Sequence, residues 1–534
     1  VSGVGRASIL IGAGTLASRL TGLIRTIVLV TVLGSFASRA GDAFTVANQL
    51  PNTIYEIISY GLLTAIIVPQ IVKASAHADE GRTFISKLFT LGTVVLLLTS
   101  AVATVCAPLL VELFAPQFSP DQKALATAIA YWCLPQIFFY GMYALMGEAL
   151  NARKVYGPFT WAPIVNNVVS IIGFGLIGLF FGTDLTGVAD WTPGMVGALG
   201  ATATGGIIVQ ALVLLLFWRR TGLHLRPDFR WRGVGLADVG RLAGWTFAMV
   251  LVRTAAGIVQ TRVVSDASGD GASAFAMANA WLVFMLPYSI IVVSIGTPYF
   301  TRLAEHAQAG RHLDVKTDLS ASIRVTGMLI TIAAAALIVA AVPATRVFVN
   351  SADHAVDAAP VLVAYLLGLI PLSVLFVVQR AFYAYDDTRT PFIFTVVQCI
   401  LFVGLVLAAQ AFLPVDQLAA GVALGQSFAT LVQVVIATAL LRRRLGSLGI
   451  RSWFVAYARF VVAAIPAAAA GWLTFELLGG VDGWTVSDKL FGAIGTAIIG
   501  AVALAVYLGV LAVLRAPELG PVMVLARRML PRRG

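Results

Sequence analysis

The chain of 534 residues is 59% hydrophobic and only 11% charged, with a mean hydropathy of +0.91. Soluble domains carry about 25% charged residues, so this composition excludes a soluble enzyme and describes a polytopic membrane protein without a sizeable aqueous domain. The formal net charge of +11 is spread over short loops, which argues against a nucleic-acid partner and for the positive-inside pattern of a membrane protein.

At about 20 apolar residues per crossing, the sequence reads as fourteen spans, at about 8–33, 42–72, 85–113, 120–151, 158–182, 194–218, 238–265, 272–301, 318–345, 356–385, 390–413, 416–441, 453–478 and 487–514. The first apolar segment is too long for the core of a cleavable signal peptide and is expected to remain as a signal anchor. It carries two arginines, Arg19 and Arg25, and a charge at mid-bilayer costs roughly 2.5–3.5 kcal/mol on insertion scales. Such a residue faces a polar cavity, an anionic substrate or an ion-pair partner on another helix. Successive residues turn by about 100°, so the two arginines lie about 120° apart and can flank one cavity. Gly12, Gly14 and Gly22 thin the same helix.

The second span opens at Asp42, for which helix capping and a functional role are both open. Asn48, Asn52 and Glu56 follow at i, i+4 and i+8, a polar stripe on one face. Ser119-Pro120-Asp121-Gln122 reads as a capping box that opens the fourth span. Pro51, Pro69, Pro135, Pro287, Pro298 and Pro371 fall within expected helices and permit bends where neighbours satisfy the freed carbonyl. The stretch Arg219 to Arg241 is basic and aromatic, as expected of a linker on anionic membrane lipids. In span seven, Arg253 and Gln260 are seven apart and share a face, with Gly257 between them. Arg262 points nearly opposite to Arg253, either into a site or outward to the interface.

Loop charges set the orientation. The loops after even-numbered spans hold most of the lysines and arginines, and the basic tail matches them, so both termini are expected on the cytoplasmic side.

The two halves repeat with a period near 231 residues. Ala43-Phe44 and Ala47-Asn48 return as Ala274-Phe275 and Ala278-Asn279. Pro69 returns as Pro298. Glu148-Ala149-Leu150-Asn151-Ala152 with Pro158-Phe159 returns as Arg380-Ala381-Phe382-Tyr383-Ala384 with Pro391-Phe392. An offset of six helices makes the repeats parallel, a pattern of transporters with a site between two lobes. The expected architecture is all-α and polytopic: two six-helix pseudo-repeat lobes plus two extra C-terminal helices. The domains are an N-lobe at 1–218, a basic linker at 219–237, a C-lobe at 238–445, and the last two spans with a basic tail at 446–534. Glu148 and Arg380 occupy equivalent repeat positions with opposite charge, either pairing across the lobes as a gate or using partners within each lobe.

No catalytic constellation, nucleotide-binding loop or metal-ligand spacing is present. Three scattered cysteines, Cys106, Cys133 and Cys399, make no disulfide framework. No cofactor is therefore expected, and the driving energy is expected from membrane potential or a monovalent cation, H+ or Na+.

Ser18-Arg19-Leu20-x-Gly22-x-x-Arg25, Asp42-Ala43-Phe44, Leu50-Pro51-Asn52, Arg380-Ala381-Phe382-Tyr383-Ala384 and Asp387-Thr388-Arg389-Thr390-Pro391 together resemble the MurJ/MviN lipid II flippase family of the multidrug/oligosaccharidyl-lipid/polysaccharide exporter superfamily. The resemblance spans essentially the whole chain. It implies a transporter in the bacterial cytoplasmic membrane that flips lipid II, the undecaprenyl-diphosphate-linked disaccharide peptide, by alternating access. It further implies that cavity arginines hold the diphosphate and sugar head, that the last two spans form a groove for the polyprenyl tail, and that other cell-wall synthesis proteins are partners. By position Arg19, Arg25 and Asp42 match functional residues of the family, and Arg380 matches a gate residue. An arginine common after the Leu-Pro-Asn motif is Tyr55 here, and one in span eight falls near Trp281 or Leu282, so Arg253 or Arg262 is expected to supply the missing charge. Another polyprenyl-linked glycan flippase or a cation-coupled drug antiporter of the same superfamily is the alternative.

Overall fold

In the computed structural model, residues 3–34, 36–59, 82–153, 155, 157–219, 227–230 and 236–520 are described, and their regular structure is entirely helical. Thirteen helices or helix pairs among them are long and apolar enough to cross a membrane. The second span is described from Arg39 to Ser59. Its continuation with Pro69, most of the basic linker and the arginine-rich tail lie outside the described residues.

Packing divides the chain into two compact units, Val1–Phe275 and Ala276–Gly534. The first holds α1 (Gly3–Leu33), α2 (Arg39–Ile58), α3 (Arg82–Val105), α4 (Ala107–Phe114), α5 (Pro120–Cys133), α6 (Gln136–Ala152), α7 (Gly157–Phe181), α8 (Pro193–Trp218) and α9 (Leu236–Val264). The second follows with α10 (Ala274–Pro287), a π-helical turn at Tyr288–Val293, α11 (Ser294–Gln308), α12 (His312–Val339), α13 (Ala341–Arg346), α14 (Ala352–Leu366), α15 (Leu369–Ala384), α16 (Arg389–Phe412), α17 (Val415–Leu445), α18 (Ile450–Leu477), α19 (Trp484–Ser487) and α20 (Lys489–Val513). The repeat places span seven at the head of the C-lobe, whereas by packing α9 groups with the first unit, where it lies on α2 and α4. Sequence duplication and compactness thus cut the chain one helix apart.

Each six-span repeat builds its third and fourth spans from two helices. In the first unit the breaks fall at Cys106 and at Leu134-Pro135. In the second they fall at Ala340 and at Leu367-Gly368. Pro135, expected inside a helix, therefore stands at a break, because it cannot donate to the carbonyl one turn back. A hydroxyl from the sixth span of each set repairs the orphaned carbonyls. Thr204 on α8 donates to Trp132 O at 2.6 Å and accepts from Gln136 Nε2 at 2.9 Å. Ser427 on α17 donates to Ala364 O at 2.6 Å. The duplication thus reaches the hydrogen bonds that hold the bends.

The cap of α2 is Ser38, whose Oγ accepts from Gly41 N at 2.9 Å. The helix begins three residues before Asp42, so that carboxylate does not cap it. At α5 the expected Ser119 cap forms, with Ser119 Oγ accepting from Gln122 N at 3.3 Å. The reciprocal half of the box is missing because the Gln122 side chain is used elsewhere, as described below.

Spans thirteen and fourteen, outside the repeat, are anchored to span nine at three levels. Arg346 is buried, and its guanidinium donates to Val349 O at 2.7 Å, Val486 O at 2.8 Å and Ser487 O at 2.8 Å. In the middle, Tyr507 donates its hydroxyl to Met328 O at 2.9 Å, and Tyr457 lies so close to Gly327 that a Cβ there would strike its ring. At the other end, buried Glu518 pairs with Arg459 at 3.2 Å and Arg324 at 3.6 Å.

Candidate functional site

The first unit gathers polar side chains in two places. The first is the face of α2 described by Asn52, Tyr55 and Glu56, against α6 and α9. Asn52 and Glu56 are exposed and Asn48 is half-buried, as a stripe turned away from the core requires. The opposite face of α2, with Phe44, Ala47, Leu50 and Pro51, enters the main apolar cluster of the unit. Tyr140 on α6 hydrogen-bonds to Asn52 and lies in electrostatic reach of Arg25 on α1. The ring of Tyr140 rests on that of Tyr55, with centroids 5.6 Å apart and planes tilted by 32°. Arg253 on α9 acts electrostatically on Glu56. Four helices thus bring Arg25, Asn52, Tyr55, Glu56, Tyr140 and Arg253 into one neighbourhood.

Neither Arg25 nor Arg253 reaches a carboxylate within salt-bridge distance among the described residues of its unit. Arg19 is exposed beside Leu16 and Leu20, also without an ion pair there. It lies one and two-thirds turns, about 9 Å, along α1 from Arg25. The packed side of α1 is the one with the glycines. Asn167 on α7 donates to Ser18 O at 3.0 Å and Thr21 Oγ1 at 2.9 Å, and a Cβ on Gly14 would come within 2.7 Å of Thr160. Gln260 is half-buried and Arg262 exposed, about 10 and 14 Å along α9 from Arg253. They stand away from the cluster.

The second place surrounds Asp42. Its carboxylate is fully buried and accepts from Ser273 Oγ at 2.6 Å, Ser268 Oγ at 2.6 Å and Phe275 N at 2.9 Å. Gln122 Nε2 donates to Ser268 Oγ at 2.8 Å and to Arg39 O at 2.9 Å, the use that draws it from the capping box. Ala37 N adds a bond to Gly271 O at 3.1 Å. The turn between α9 and α10 is thereby tied to the start of α2 and to α5. Asp42 does cap a helix, but the one that begins at Ala274. At 1.5 Å per residue it lies about 15 Å along α2 from Asn52. Engaged by three donors, it forms a network separate from the Arg25 cluster.

Glu148 is half-buried on α6, and no ion pair forms within its own unit among the described residues. Arg380 in the second unit lies between the rings of Phe300 and Phe376, each 4.9 Å from its guanidinium carbon. Cys106, Cys133 and Cys399 form no disulfide, and no metal-binding group of His, Cys, Asp or Glu occurs among the described residues.

A family model described as lipid II flippase MurJ matches residues 29–490. The chain belongs to the MurJ lipid II flippase family. A probable lipid II flippase MurJ of Rhizobium meliloti (strain 1021) is 28% identical over 509 residues, 91% of each chain. One from Haemophilus influenzae is 24% identical over 487 residues, covering 86% of this chain and 90% of that relative. Among solved structures, a lipid II flippase MurJ in an inward closed conformation superposes with a TM-score of 0.74 at 20% identity, over 95% of this chain and 98% of the other. An inward-facing multidrug resistance MATE family transporter of the MOP superfamily gives 0.62 at 16% identity, over 81% and 95%. At such identities these superpositions speak for the fold alone.

The resemblance led arginine to be expected at Tyr55 and near Trp281 or Leu282. Tyr55 and Trp281 both belong to aromatic groups. Tyr55 meets Tyr140, while Trp281 packs with Phe284 and Tyr365 at centroid distances of 4.9 and 5.3 Å. Sequence reasoning missed Tyr140, because its run Phe138-Phe139-Tyr140 reads as ordinary apolar core. It also missed Ser268 and Ser273, short polar residues on a turn more than 200 residues from Asp42, and read Gln122 as part of a capping box and not of this network.

Proposed function

We propose that this MurJ family member flips lipid II across the cytoplasmic membrane by alternating access, with Arg25 and Arg253 taking the diphosphate. The observation that carries this assignment is Arg25 itself. It is an intramembrane cation that has the Tyr140 phenol, and no carboxylate among the described residues of its unit, in electrostatic reach. A charge at that depth without a permanent counterion is stabilised by a ligand that supplies one. Arg19 attracts the anionic head toward the site, and Asn48 extends the polar wall. Gln260 and Arg262 are second-line contacts toward the outer end of α9. Spans one to six and seven to twelve act as the two lobes, with both termini cytoplasmic and the basic linker on anionic lipid.

In this scheme the Asp42 network is the outer latch, whose release frees the turn at 265–273. Glu148 and Arg380 form an inner gate by alternate pairing. A charge-reversal pair tests the gate. Glu148→Arg and Arg380→Glu are each expected to impair growth, and the double swap to restore it; a double variant as defective as the singles refutes the gate. Membrane potential or a monovalent cation drives the cycle, since one elementary charge crossing 100 mV gains about 2.3 kcal/mol. The decisive experiment is depletion followed by complementation with wild type, Arg19→Ala or Arg25→Ala, reading outer-leaflet lipid II. Export is expected to return with wild type and to fail with Arg25→Ala. Unchanged export on depletion, in a strain without a second flippase, would contradict the assignment.

A further inference from the structure

Tyr140 and Tyr143 share one helix, three residues apart, and are used differently. Tyr143 is a structural tyrosine: its hydroxyl donates to Phe159 O at 2.7 Å and its ring stacks on Phe159 at 4.9 Å. Tyr140 has a side chain for its hydrogen-bond partner, the amide of Asn52. Asn52 is exposed, and among the described residues its amide makes besides a long 3.5 Å bond to Asn48 O. An amide has two donors and two acceptor lone pairs, so Asn52 retains capacity for a ligand. The Tyr55 ring borders the apolar cluster of α3, α6, α7 and α8 and meets the Tyr140 ring. Neither ring is fully buried. Arg25 is next to the phenol.

We propose that Tyr55, Tyr140 and Asn52 form a sugar-reading subsite adjoining the diphosphate position at Arg25. The inference rests on lipid II being the substrate and assigns its headgroup chemistry. A pyranose presents an apolar C–H face and a rim of hydroxyl and acetamido groups. Aromatic faces accept the first by weak X–H···π contact, and a side-chain amide pairs with the second. A diphosphate carries its charge one bond away from the first sugar, and the cation in this cluster is beside the aromatic pair. Few convergent polar groups on an aromatic wall are the usual composition of a small-molecule site. The Tyr140 phenol thus has a cation and an amide as neighbours, the chemistry that a sugar flanked by a diphosphate and by its own polar substituents requires.

The test is equilibrium binding to the purified full-length protein in nanodiscs, with lipid II and undecaprenyl diphosphate as the two probes. The latter lacks sugar and peptide but keeps the diphosphate and the tail. Tyr55→Ala and Tyr140→Ala should each weaken lipid II by about tenfold, the scale of one aromatic contact, and leave undecaprenyl diphosphate within about twofold. Arg25→Ala should weaken both. Tyr143→Phe should lower the unfolding temperature without changing either affinity. Should an alanine variant fail to fold, Tyr140→Phe and Asn52→Ala keep the rings in place, with an expected loss of about threefold for lipid II alone. Equal weakening of both probes by the tyrosine variants, or of neither, would overturn the subsite. Wild-type protein that fails to bind lipid II while remaining folded would overturn the flippase reading, and the subsite with it.

Discussion

The two compact units treat intramembrane and near-membrane charge in opposite ways. In the second unit Arg346, which is buried, and Arg380, Arg324 and Arg459, which are half-buried, have local partners: Arg346 has three backbone carbonyls, Arg380 has two aromatic rings, and Arg324 and Arg459 share Glu518. In the first unit Arg19, Arg25 and Arg253 lack such closure among the described residues, and the polar face of α2 is open next to them. A desolvated charge is stable when its hydrogen bonds are satisfied. Where satisfaction is local the residue holds the fold, and where it is missing the residue is the one we propose takes the ligand.

Breaking the closed side of this comparison should cost stability first. Arg346→Ala leaves three carbonyls unpaired at the end of the α13–α20 contact. We expect a loss of about 3 kcal/mol or more, read as a large drop in unfolding temperature in detergent, with Arg346→Lys recovering part. Next comes the latch. Asp42→Ala removes the acceptor of two hydroxyls and one N–H, which should cost about 2 kcal/mol. It should also speed maleimide labelling of a cysteine placed at Ala272, which is buried in the present arrangement. Unchanged labelling would show that the turn is held by other contacts. The smallest effect should come from the hydroxyls that repair the broken spans. Thr204→Val and Ser427→Ala should each cost about 1 kcal/mol, similar in the two units because the repeat makes the bonds equivalent. A large difference between them would show that the two bends are not equivalent in use.

How much of this was legible in the sequence follows from the range of the interactions. Spans, loop charge and duplication are patterns of composition and period, so α1 to α20 fall close to the expected segments. The Ser119 cap is local and was readable. The fate of Gln122 was not, because its side chain answers to Ser268 and Arg39 O rather than to its own helix. Asp42 was ambiguous for the same reason: its three donors arrive from a turn between α9 and α10. The polar stripe of α2 was visible as a period, and Arg25 as an energetic anomaly. Tyr140 was invisible, since nothing in an aromatic run separates a packed ring such as Tyr143 from one that faces an amide and a cation. The breaks at Cys106, Pro135, Ala340 and Gly368 were partly legible through proline. Their repair by Thr204 and Ser427 depends on packing between helices.

The central claim is that the open charge of the first unit works on substrate and not on the fold. Translocation of labelled lipid II by purified protein in proteoliposomes, paired with thermal unfolding of the same preparations, tests it most directly. Arg25→Ala is predicted to keep an unfolding temperature close to wild type while translocation falls about tenfold or more, the scale of one lost charged hydrogen bond. A variant that unfolds early, or one that is stable and moves lipid II at the wild-type rate, would contradict the account.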